Sequence, residues 1–239
     1  MQPLTIEYRL RLPDLSERLF FIRLDTESLE ALPAEDQEPL PDWTRLSFSQ
    51  CASCPLTELD TPTCPAAAKI APIVRHGEAL LSIDQIELTV TTAERISIQT
   101  TTAQRALCSL MGLAIATSGC PHTAFFKPMA RFHLPLASEE ETIFRACATY
   151  MLAQYFVNQD GKAADFALKK LTAIYRTMQE VNLAMATRVR SDSRTDSSVN
   201  AIVLLDMYAK ALPHVIRQSL DELRYLFTPL LEAMPDEER

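Results

Sequence analysis

The 239 residues carry 31 acidic against 23 basic side chains, a formal charge of −8 at pH 7, with 47% hydrophobic and 23% charged residues. That composition belongs to a globular chain, sized for one large domain or a domain with a small module, and excludes a disordered one. The acidic balance argues against a generic nucleic-acid binder, and four glycines, Gly77, Gly112, Gly119 and Gly161, cannot supply a glycine-rich phosphate loop.

Leu4, Ile6, Tyr8, Leu10 and Leu12 alternate with polar residues, which is the period of a strand with one buried face, and Phe20, Ile22 and Leu24 repeat it after Pro13 to Arg18. This predicts a hairpin. Ile86, Leu88 and Val90, followed by Ile96 and Ile98, predict a second, giving an antiparallel sheet of about four strands. The first twelve residues contain no continuous apolar stretch of signal-peptide type, and no run of about 18 apolar residues occurs anywhere. A cytoplasmic protein with no membrane span is expected.

Between the hairpins, 32–41 is rich in Pro, Glu and Asp and reads as an exposed connection, followed by the cysteine segment Cys51 to Cys64. Pro65 suits a first helical position, so a helix is expected over Ala66 to Val74. Ala103 to Ser118 is nearly all apolar after Arg105 and predicts a central buried helix stopped by Gly119. Ser138-Glu139-Glu140-Glu141 is a capping box opening a helix to about Asn158. Further helices are expected over 163–190, 198–211 and 213–226, with the polar stretch 190–198 as a candidate hinge.

Cys51-Ala-Ser-Cys54 has the spacing at which two thiolates bind one tetrahedral ion, and Cys64 follows after nine further residues. A fourth ligand is expected from Ser118-Gly119-Cys120-Pro121-His122, with Cys120 first and His122 second. Zn2+ is the expected ion. Cys54-Pro55, Cys64-Pro65 and Cys120-Pro121 keep an iron–sulfur cluster as the alternative, because proline often follows such ligands. In a chain without a secretory signal, the cysteines are not read as disulfides. Cys108 and Cys147 lie within apolar helical patterns and read as core.

Lys127-Pro-Met-Ala-Arg131-Phe-His133-Leu-Pro135 puts two cations and an imidazole beside the Cys-Pro-His turn. Lys127, Arg131 and His133 could bind an anion or a substrate carboxylate there, or belong to a loop whose Phe125, Phe126, Met129 and Phe132 fill the core. Asn182, Arg188, Arg190, Asp196, Asn200 and Asp206 form a polar series over two helices, consistent with a polar pocket or with solvated faces. His76 and His214 read as surface residues. No G-x-S-x-G, H-E-x-x-H or EF-hand pattern occurs.

The strings Gln50-Cys-x-x-Cys54-Pro, Cys64-Pro-Ala-Ala, Thr117-Ser-Gly-Cys-Pro-His122 and Met129-Ala-Arg-Phe-His-Leu-Pro135 resemble an uncharacterised bacterial protein family of unknown function. The resemblance implies that Cys51, Cys54, Cys64, Cys120 and His122 are the functional set. The expected protein is therefore α+β. Residues 1–102 would form hairpins carrying a metal-binding insertion at about 50–75, and 103–239 a helical domain packed on them. The expected function is that of a zinc-binding regulatory or interaction protein. The alternatives are an iron–sulfur redox or sensor protein, and an enzyme using the Cys-Pro-His turn with Arg131 and His133. A protein partner or a homo-oligomer is left open.

Overall fold

The computed structural model describes residues 2–33, 39–77, 80–192 and 196–234, those of 212–222 by their backbone alone. Strands β1 (Leu4–Arg11), β2 (Glu17–Leu24), β3 (Gln85–Thr91) and β4 (Ile96–Thr102) form one antiparallel sheet in the order β2-β1-β3-β4. Both hairpins form, and β1 and β3 meet at its centre. Tyr8 pairs with Val90 and Leu10 with Leu88, so the inward residues of the two strands form one apolar layer.

Edge strand β4 departs from expectation. Its isoleucines Ile96 and Ile98 are exposed although they lie in the hairpin's alternating pattern. Ile98 pairs with Thr89 and Ile96 with Thr91, which point outward, and Ser97 takes the face of Val90. Register is set by the partner strand, and a shift of one residue exchanges the faces.

The helices are α1 (Pro65–Gly77), α2 (Ala103–Ala116), α3 (Lys127–Arg131), α4 (Glu139–Gln159), α5 (Lys169–Asp192), α6 (Asp196–Glu222) and α7 (Thr228–Ala233). The chain is thus α+β, with the helices packed on the inner face of the sheet. Helix α2 is buried nearly throughout and ends before Gly119, whose φ of +83° lies in the left-handed region. The capping box forms as read: Ser138 accepts from Glu141 N–H, and the Glu141 carboxylate accepts from Ser138 N–H.

Two helix boundaries differ from expectation. Helix α5 begins at Lys169 instead of 163, after Leu168 in the left-handed region, because the Asp165 carboxylate accepts from Lys170 N–H and Tyr150 Oη–H. The two helices expected at 198–211 and 213–226 are one, since α6 continues through Pro213. The candidate hinge is helical at both ends, and 193–195 lie outside the described residues, as do 34–38 of the acidic connection.

A single buried cluster joins the sheet, α1, α2, α5 and α6, and a smaller one lies between α4 and α5 around Tyr150, Leu171 and Tyr175. Helices α1 and α6 approach closely at Gly77, where a Cβ would stand 2.7 Å from Ser198 Oγ.

Candidate functional site

The cysteine insertion is a closed loop. Leu46 N–H donates to Pro62 O and Cys64 N–H to Thr44 O, so the strand-like base brings Cys64 beside the loop's beginning. At its far side Cys54 N–H donates to Cys51 O at 3.0 Å, closing a tight turn around Ala52-Ser53. Cys64 immediately precedes α1, and Ala68 N–H donates to its carbonyl. Cys120 likewise precedes the 3-10 turn Pro121–Phe126, where Thr123 N–H and Oγ1–H both donate to its carbonyl. Both cysteines therefore directly precede a helical segment, with proline next.

Helix α5 holds the insertion. The guanidinium of Arg188, 1% exposed, donates to the carbonyls of Trp43, Arg45, Leu46 and Ser49, the last three at 2.6, 3.0 and 3.0 Å. One turn on, the Asp192 carboxylate accepts from Trp43 Nε1–H at 2.7 Å. Two turns back, the Glu180 carboxylate accepts from both the N–H and the hydroxyl of Ser53, inside the Cys-x-x-Cys turn. Trp43 and Leu46, 3% and 1% exposed, anchor the insertion's base in the core.

Cys51, Cys54, Cys64 and Cys120 are all free thiols, two half-buried and two buried. They lie near enough to act on one another electrostatically. Burial pushes the Cys51 thiol up to about 11; Cys64, Cys120 and Cys54 push the same way and Arg188 opposes them. Burial also raises Cys120, with Cys64 and Cys54 adding to it, while the N–H groups of His122 and Thr123 lower it. Burial pulls the Arg188 guanidinium down, and the thiols that act back on it are Cys64, Cys51 and Cys54. Its Nε–H has no partner among the described residues. Among those residues, no three His, Cys, Asp or Glu side chains stand in a group that could hold a metal ion as they are.

His122 reaches the same turn differently, its Nε2–H donating to Ser53 O at 3.0 Å. The other expected anion-binding residues are not gathered. Lys127 pairs with Glu30 at 2.8 Å, Arg131 pairs with Glu94 at 2.9 Å and lies over the Phe132 ring, and the His133 imidazole hydrogen-bonds Tyr8 Oη. Cys108 and Cys147 are each 6% exposed, and burial pushes the Cys108 thiol up to about 12. His76 is exposed; the His214 side chain lies outside the described residues.

The polar series resolves into separate roles. Asp196 and Asn200 bond Ser82, Asp206 pairs with Lys210, and Arg188 clamps the insertion. The part played by Arg188, Glu180 and Trp43 was missed in the sequence. One signal was available: Val181, Met185 and Arg188 share a helical face, so the arginine lies in an apolar stripe.

An α+β frame whose insertion offers thiols to a buried arginine defines the class of molecule only structurally. The chain belongs to the family described as Domain of unknown function (DUF6901), whose model matches residues 6–228. No curated protein and no solved structure shows significant similarity to it.

Proposed function

We propose that the protein binds a metal ion through the thiolates of Cys51, Cys54, Cys64 and Cys120, zinc first among candidates, and serves a regulatory or interaction role rather than catalysis. The observation that supports this most is that the free thiols of Cys51, Cys54 and Cys64 lie near the buried guanidinium of Arg188, which has no carboxylate partner among the described residues, with Cys120 acting on Cys51 from a third chain segment. Four thiolates around a divalent ion carry a net negative charge, and a buried cation beside them offsets it. Cys120 also has the N–H groups of His122 and Thr123 beside its thiol, a second source of positive potential.

In this reading the ion closes the site. The Cys-x-x-Cys turn is the half-exposed part, and it would move toward Cys64 and Cys120 if an ion bound. His122 acts through Ser53, steadying that turn with Nε2–H, and Cys120 is the fourth ligand. Free thiols also fit a reducing compartment, the cytoplasm. An iron–sulfur cluster would use the same shell.

Titration of metal-free protein with Co2+ tests the proposal. Thiolate coordination gives sulfur-to-metal absorption in the near ultraviolet, saturating at one ion per chain. The ligands must shed protons, and the Cys51 thiol holds its proton up to about 11, so uptake releases protons and apparent affinity rises with pH through the neutral range. Absence of that absorption, or affinity that does not fall on acidification, would contradict thiolate ligation.

A further inference from the structure

A second site lies away from the thiols. The segment 126–137 and helices α2, α4, α5 and α6 line a pocket of about 230 Å³ that is open on one side, where Arg105 is exposed. That exceeds the roughly 150 Å³ of a dry protein cavity able to hold a benzene ring, leaving room for a ring with a short chain. Leu113, Ile115, Phe126, Leu136, Leu204 and Leu205 give it apolar walls.

Its charged groups are of one sign. Arg105 and Arg145 line it and no Asp or Glu does, in a chain whose net charge is −8. Arg105 has no ion-pair partner among the described residues, whereas Arg145 donates from Nη2 to the carbonyls of Met129 and Phe132 and feels the Glu141 carboxylate one turn back on α4. His133 is committed to Tyr8, and burial pulls its imidazole down to about 3, leaving it neutral at pH 7.

The side chain of Asn182 also lines the pocket and is 3% exposed, and its amide, with no hydrogen bond among the described residues, opens onto the pocket rather than into a sealed interior. A buried amide normally has a partner, and one facing a cavity is placed to find it in a ligand. Tyr175, beside Arg145, stands two turns before Asn182 on α5, on the order of 10 Å along the axis.

We propose that this cavity binds a small aryl-alkanoic acid, its carboxylate held by Arg105 and Arg145, its ring between the leucines, and a hydrogen-bonding group opposite the carboxylate meeting Asn182. The spacing suits a phenol joined to a carboxylate by a short chain.

Calorimetric titration of the full chain with 3-(4-hydroxyphenyl)propionate, 3-phenylpropionate and 3-(4-hydroxyphenyl)propan-1-ol tests it. The hydroxylated acid is expected to bind at one per chain, at least about tenfold tighter than either analogue. The exposed Arg105→Gln should remove the preference for acid over alcohol. Asn182→Leu, with folding checked by circular dichroism, should remove the preference for the hydroxylated acid over 3-phenylpropionate. No saturable binding of any of the three probes, or equal affinity of the wild-type chain for all three, overturns the proposal. So do preferences that survive both substitutions.

Discussion

Arg188 gathers four backbone carbonyls of the segment 43–49 onto one side chain, work that water would otherwise do for an exposed loop. Those carbonyls lie in or directly after the short 3-10 turns Asp42–Thr44 and Leu46–Phe48 and have few alternatives when buried. Arg188→Met should therefore destabilise the protein by about 3 kcal/mol or more in urea unfolding, since each bond to a charged donor contributes about 1.5–3 kcal/mol, less than additively. Arg188→Lys should recover only part of this, because an ammonium cannot spread its donors over a planar fork. A loss under about 1 kcal/mol for Arg188→Met would show that the carbonyls find other partners. The sequence shows Arg188 on an apolar stripe but not what it meets, because its partners are carbonyls, which no residue type announces. Asn182 is alike: its position on the buried face of α5 can be read, its unmatched amide cannot. The thiols differ, since spacing and proline neighbours singled out Cys51, Cys54, Cys64 and Cys120, and all four fall in one region of the fold.

At the scale of elements, the insertion divides into two parts. Its base, 42–48, is held by Trp43, Leu46 and Arg188, whereas between Cys51 and Cys64 the side chain of Leu56 is half-buried and that of Leu59 is 98% exposed. The outer part thus has little apolar burial to offset the entropy of ordering it, and metal coordination would supply the difference. Limited proteolysis after chelation is expected to begin between Pro39 and Val74, and α4 onward should persist as an intact fragment. Cys51→Ser and Cys54→Ser should give the same pattern without chelator. First cleavage elsewhere, or immediate digestion of the whole chain, would contradict this division. The elements themselves were largely legible where one local rule decides them: alternation in β1 and β3, the capping box of α4, uniform apolarity in α2. They were misread where a neighbour decides. Ile96 and Ile98 face outward because β3 fixes their register, and α6 runs through Pro213, where local rules would have broken it.

For the whole molecule, one buried cluster runs from the sheet through α1 and α2 to α5 and α6, and both flanks of the insertion are tied to it. Cys64 opens α1, Cys120 follows α2, and Arg188, Glu180 and Asp192 reach the loop from α5. An ion at the four thiols would thus join the loop to three core helices, and its binding energy would count toward the stability of the fold. Among the described residues no helix is long and apolar enough to cross a membrane. Large exposed apolar side chains recur on α4, at Phe144, Met151, Leu152, Tyr155 and Phe156. The most direct test of the central claim is element analysis of the protein purified without oxygen, beside a Cys51→Ser, Cys54→Ser double variant. Close to one zinc ion per wild-type chain is expected, or iron with sulfide and visible absorption if the shell holds a cluster, together with loss of the metal in the variant. Folded wild-type protein with less than about 0.2 metal per chain, or a variant that retains its metal, would contradict it.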